Sequence, residues 1–133
     1  MESFDRFLEL IAALRGENGC PWDRKQTLES MATYLADEAR EAVEAIGNGD
    51  HENLCEELGD VMLIVAMMSQ IARERGLFKF EDVVSGIHEK IVRRHPHVFG
   101  DLKLDTAEDV LLNWKQIKEN EKRARSGAGS DDS

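Results

Sequence analysis

Basic residues, cysteines and prolines are all scarce in this chain, and each shortage narrows what it does. Only 17 Lys and Arg stand against 27 Asp and Glu in 133 residues, a formal charge of -10. A surface that acidic repels a phosphate backbone, so no nucleic-acid partner is expected. A small anionic nucleotide is still admissible, because a divalent cation can bridge acidic protein and phosphate. Two cysteines, Cys20 and Cys55, are too few for a disulfide framework, and neither stands beside a base motif that would make it a nucleophile. The start, MESFDRFLEL, lacks a secretory pattern. The longest apolar run, VMLIVAMM at 61–68, falls well short of the roughly 20 residues a membrane span needs. A reduced, cytoplasmic protein with no membrane partner is the expectation.

With only two prolines, long helices meet few breaks. The residues that are plentiful, Ala, Glu, Leu, Lys and Arg, favour helix, so the fold class expected is all-α. A first helix is predicted over 3–14, with Phe4, Phe7, Leu8, Ile11 and Leu14 on one stripe. RGENGCPWD then breaks the pattern, and Asp23 with Gln26 reads as a capping box opening a second helix that ends near 46. GNGD is a turn with Asp50 as N-cap of a third helix over 51–75, which stops at Gly76. A fourth covers 81–94 and ends before Pro96; Thr106 with Asp109 caps a fifth, to 123. The expected organisation is one domain over 1–124 and a small, polar, disordered tail over 125–133.

The chemistry is in DEAREAVEAIGNGDHENLCEELGD, residues 37–60. At about 100° per residue, Glu38 falls inside the apolar sector of the second helix, among Tyr34, Ala42 and Ala45, with Glu41 at its edge. On the third helix Glu57 falls among Val61, Ile64 and Met68, with Asp60 at the edge. In an antiparallel hairpin, residues equidistant from the turn stand level. Glu38 and Asp60 are each eleven residues from Gly49, and Glu41 and Glu57 are each eight. Four carboxylates therefore converge on one patch of helix interface. Acids at i, i+3 on one helix are ordinarily a solvated face. Two such pairs, both in apolar sectors and level across one turn, are not. Burying a single ion costs several kcal/mol even after relaxation, so protons or a cation must sit among them. All-oxygen ligands favour a hard divalent ion, Mg²⁺ first with Mn²⁺ as a substitute. The Glu-x-x-His pairs of a di-iron bundle are missing.

These residues resemble the MazG-like nucleoside triphosphate pyrophosphohydrolases of the all-α NTP pyrophosphatase superfamily. The likeness is carried by the EExxE…ExxD pattern, by GCPWDRKQT at 19–27, ELGDVML at 57–63, RRHPHVFG at 93–100 and NWKQIK at 113–118. It extends over nearly everything but the tail. One departure is Asp37, where the pattern has its first Glu; it falls outside the apolar sector. Another is that some relatives carry two such domains in tandem. The resemblance implies Mg²⁺-dependent hydrolysis of an NTP or dNTP to monophosphate and pyrophosphate, in nucleotide pool control or house-cleaning. It implies Glu38, Glu41, Glu57 and Asp60 as metal ligands; Glu41, at the edge of the patch, is the candidate to orient or deprotonate the attacking water, with Glu38 as the second catalytic carboxylate.

Phosphates also need donors. Lys90, Arg93 and Arg94 share one side of the fourth helix, and Lys118 repeats the idea beside Trp114 on the fifth. These four, with Trp22 and Trp114 as aromatic surfaces, are the candidate substrate-binding residues. His95 and His97 read as capping or packing of their turn, and Met62, Met67 and Met68 as core or subunit interface. A hairpin carrying buried acids cannot enclose them alone. A four-helix core completed by a homodimer, or a dimer of dimers, is expected. Two rivals stand beside this reading. One is a sister enzyme, a dUTP, dCTP or phosphoribosyl-ATP pyrophosphatase; the other is a non-enzymatic helical regulator on the same scaffold.

Overall fold

The computed structural model describes residues 2–127 and, among them, contains seven helices and no strand. These are α1 (Glu2–Leu14), α2 (Pro21–Arg24), α3 (Leu28–Gly47), α4 (His51–Glu74), α5 (Phe80–Arg93), α6 (Pro96–Phe99) and α7 (Ala107–Gly127). The all-α class is thus as expected, with two four-residue helices added. Both open on a proline, which fixes φ at the first helical position and lacks the N–H a longer helix would need there. The expected disordered tail falls mostly on residues outside those described; α7 itself continues to Gly127.

By its internal contacts the chain forms two compact units, residues 1–84 and 85–133. In the first unit, α3 and α4 form the antiparallel hairpin and α1 packs on α4. The turn works because Gly49 takes φ +66°, a left-handed conformation costly for any residue with a Cβ. Asp50 then accepts the amide of Asn53 (3.1 Å) and caps α4. The core is Ile11 from α1, Met31 from α3, and Ile64, Ala66, Met67 and Ile71 from α4. Burying each large side chain of this kind stabilises by about 1.5–3 kcal/mol.

The core lies in the half of the hairpin far from the turn, where three helices meet. Nearer the turn, the described residues of this unit supply only α3 and α4. That explains why Ile46 and Val43 of α3 are exposed, together with Leu58 and Met62 of α4.

The start of α3 also differs from expectation. Asp23 and Gln26 do not form the capping box; Thr27 and Ser30 do. Ser30 N–H donates to Thr27 Oγ1 (3.0 Å) and Thr27 N–H to Ser30 Oγ (2.9 Å). Gln26 is buried instead, donating its amide to the Trp22 carbonyl (2.8 Å). α2 uses up the residues that would have carried the earlier cap, and Gly19 lets that segment fold close over the end of α1. A Cβ at Gly19 would collide with the carbonyl oxygens of Ala13 and Leu14.

In the second unit, α5 is followed without a long loop by α6, and Gly100 closes α6 with its amide on the Pro96 carbonyl (3.0 Å). Thr106 caps α7 by accepting the Asp109 amide (3.1 Å), as its sequence suggested.

Candidate metal centre

Because the turn holds the register, Glu38 and Glu41 of α3 meet Glu57 of α4. One carboxylate oxygen from each lies within 4.8 Å of the others. Asp60 stands outside that set, yet its charge raises the pKa of both Glu38 and Glu57. Three of the four expected acids are therefore brought together, with the fourth close by.

The cluster is electrostatically unresolved. Glu38 Oε2 and Glu57 Oε2 are buried and have no hydrogen-bond partner. Burial, followed by the charges of Glu41 and Asp60, lifts the Glu38 carboxyl from 4.5 to about 7. Glu57 moves the same way, again chiefly through burial and then through the charge of Glu41. Among the described residues, no basic side chain is hydrogen-bonded to either. Arg40, the nearest basic residue in sequence, is turned outward and shared between Asp37 and Glu44, both at 3.3 Å.

The second unit treats its acid in the opposite way. Arg93 Nε donates to Glu121 Oε2 (2.6 Å) and Arg94 Nη2 to Glu121 Oε1 (2.8 Å). The two guanidinium groups, Arg94 first, pull the Glu121 carboxyl down to about 2. Trp114 Nε1 donates to the Arg94 carbonyl (2.6 Å), so α7 grips the end of α5 through both residues. His95 Nδ1–H donates to the Ile91 carbonyl (2.6 Å) and its ring meets Trp114 edge-on at 5.3 Å. Arg94, Lys118 and Lys122 line one cavity of about 420 Å³ with Glu119, Glu121 and Arg125. Lys90 is exposed on α5. In the first unit Trp22 is half exposed and stands edge-on to Tyr34, ring centres 5.7 Å apart.

The pattern of the MazG nucleotide pyrophosphohydrolase domain matches residues 26–99. The chain belongs to this family. It is 41% identical over 127 residues to a nucleoside triphosphate pyrophosphohydrolase of Escherichia coli, covering 95% of this chain and 48% of that protein. It is 50% identical over 119 residues to the uncharacterized protein YabN of Bacillus subtilis, covering 90% of this chain and 24% of YabN. The chain thus spans a quarter to a half of the length of these curated relatives. Among solved structures, a mazG-related protein from Thermotoga maritima superposes with a TM-score of 0.72 at 33% identity, over 86% of this chain and 98% of that one.

For a MazG domain the donor set fits a divalent metal. Glu38, Glu41 and Glu57 offer only oxygens, and two of those oxygens are buried and partnerless, the state a hard cation relieves. Sequence reasoning missed Glu121, which neutralises Arg93 and Arg94, and Arg15, whose buried side chain binds Glu74. Those partners are 28, 27 and 59 residues apart. Helical periodicity says nothing at such separations. The only signal was an acid on α7 one turn beyond Lys118.

Proposed function

We propose that this chain hydrolyses nucleoside triphosphates, NTP or dNTP, to the monophosphate and pyrophosphate, with Mg²⁺ as cofactor and Mn²⁺ as substitute. The observation that carries this reading is the pair of buried, partnerless oxygens, Glu38 Oε2 on α3 and Glu57 Oε2 on α4, gathered with Glu41 in a hairpin of this family.

Glu38, Glu41 and Glu57 would hold the ion, with Asp60 completing the set. A bound divalent ion would offset the phosphate charge and lower the pKa of the attacking water. The chain's own work is then positioning. Glu41 orients the water and takes its proton, with Glu38 beside it as the second catalytic carboxylate. Lys90, Arg93, Arg94 and Lys118 bind the phosphates. Arg93 and Arg94 do so as a pair already oriented by Glu121. Trp22 and Trp114 supply aromatic surface for the nucleoside.

A homodimer, alone or as a dimer of dimers, is part of this reading. Val43, Ile46, Leu58 and Met62 are exposed along the two-helix end of the hairpin, and a second hairpin would cover them in a four-helix core. The setting is the cytoplasm and the role is nucleotide pool control or house-cleaning.

The test is incubation of the purified chain with the common NTPs and dNTPs and Mg²⁺, with products resolved by anion exchange. Monophosphate with pyrophosphate is expected, lost with EDTA and reduced at least about a hundredfold in Glu57→Gln. Diphosphate with phosphate would overturn the choice of bond. In Glu41→Gln, turnover should fall further than Mn²⁺ affinity; an equal loss of both would remove Glu41 as the base.

A further inference from the structure

The first unit carries a buried charged residue for which the hydrolysis itself has no use. Arg15, at the end of α1, keeps only 8% of its side chain exposed. Its Nε and Nη2 donate to Glu74 at the end of α4 (3.0 and 2.8 Å). Its Nη1 donates to two main-chain carbonyls, Asp23 (2.5 Å) and Gln26 (3.1 Å). One guanidinium thus ties the segment between α2 and α3 to the far end of α4. Arg suits this because its planar fork can satisfy a carboxylate and two carbonyls at once, which a Lys ammonium cannot do in that geometry.

The tied segment has one exposed product. Gln26, buried and held by its carbonyl, donates to the Trp22 carbonyl (2.8 Å), while its Oε1 accepts Ser30 Oγ–H (2.7 Å). Trp22 is thereby fixed at the N-terminal end of α3, its ring edge-on to Tyr34. Trp22 and Tyr34 are 46% and 39% exposed, so a buried guanidinium, paired with the partly exposed Glu74, holds in place two aromatic residues that stay partly in water. Tyr34 precedes Glu38 by four residues, about 6 Å along the same helix and on the same face. A core anchor would have its rings inside. A rigid aromatic corner one turn from the carboxylates is what a purine or pyrimidine stacks on.

We propose that Trp22 and Tyr34 together form the surface on which the nucleobase stacks, and that Arg15 is the positioning residue that holds this surface in place. The proposal rests on the pyrophosphohydrolase reading for its substrate. Stacking tolerates any base, so this surface sets affinity for nucleosides over bare polyphosphates more than choice among bases.

The test uses the full chain labelled with 5-fluorotryptophan, whose Trp22 resonance is assigned with Trp22→Phe. With Mg²⁺, α,β-methylene-ATP should shift that resonance and inorganic tripolyphosphate should not. In Arg15→Met the shift should be lost and KM for ATP should rise about tenfold, with kcat within about twofold and Mn²⁺ affinity unchanged. Arg15→Lys should recover part of the KM loss. A wild-type resonance that ignores the analogue, or that moves equally with tripolyphosphate, would overturn the proposal, as would a folded Arg15→Met enzyme with normal KM. Should Arg15→Met not fold, Tyr34→Leu at the exposed corner carries the test: a tenfold KM rise supports the platform and an unchanged KM overturns it. If no triphosphate is turned over, the pyrophosphohydrolase reading falls, while a Trp22 shift specific to the analogue still supports the platform.

Discussion

Glu38 and Glu121 are the same side chain in two half-buried settings, and they have opposite fates. Glu121 meets two arginines and is held ionised down to about 2. Glu38 is pushed to about 7 by burial and then by the acids around it. The first arrangement is complete within the chain; in the second, Glu38 Oε2 has no hydrogen-bond partner among the described residues. A buried acid with its partner supplied is architecture, whereas one left without a partner is a binding site in waiting.

The strongest way to break this contrast is to neutralise Glu38. Glu38→Gln should abolish Mn²⁺ binding, read by titration calorimetry, yet raise the melting temperature of the metal-free protein by about 3 °C, because one of several crowded negative charges is removed. A variant that melts lower than the parent in EDTA would mean that the carboxylates support the fold and would refute the contrast.

The two acids should also respond to pH with opposite sign. Folded Glu38 titrates near 7 against an ordinary 4.5, so the folded chain keeps a proton that the unfolded chain has released. Its contribution to metal-free stability is full below 4.5 and is lost as pH rises through about 7. Glu121 contributes fully above 4.5, and that contribution is lost as pH falls toward about 2. Thermal melts in EDTA should therefore show a fall across the upper window that shrinks in Glu38→Gln, the remainder belonging to Glu57. A slope unaltered by that substitution would assign it to another group.

Removing the partnered acid gives the smallest effect. Glu121→Gln leaves Arg93 half exposed and Arg94 with a weaker acceptor, at a cost of about 1 kcal/mol. Urea denaturation would measure it, and metal affinity should not change.

How far each acid could be read from the sequence follows the same division. Glu38, Glu41 and Glu57 were legible because helix periodicity and a single glycine turn relate them, both local quantities. The end of α3, the extent of α4, the start of α7, the Asp50 and Thr106 caps and the all-α class came from equally local signals. Glu121 was not legible as the partner of Arg93 and Arg94, nor Glu74 as that of Arg15, since each pairing depends on where a distant helix returns. Thr27 displaced Asp23 as the cap of α3 for a related reason. Arg15, eight and eleven residues away, takes the carbonyls of Asp23 and Gln26 and so holds the segment that precedes the Thr27 cap.

The turn at Gly49 has a consequence for the order of events in folding. Glu41 and Glu57 are joined by a short stretch of chain with a tight reversal, so bringing them together closes a small loop at little entropic cost. Contacts that local form early. Their mutual repulsion is therefore met at the outset, before α1 has docked to cover the far half of the hairpin. A divalent ion should on that account speed refolding as well as slow unfolding, and stopped-flow refolding with Mn²⁺ against EDTA would register it as a faster folding arm. The cation would then be part of how the chain reaches its shape.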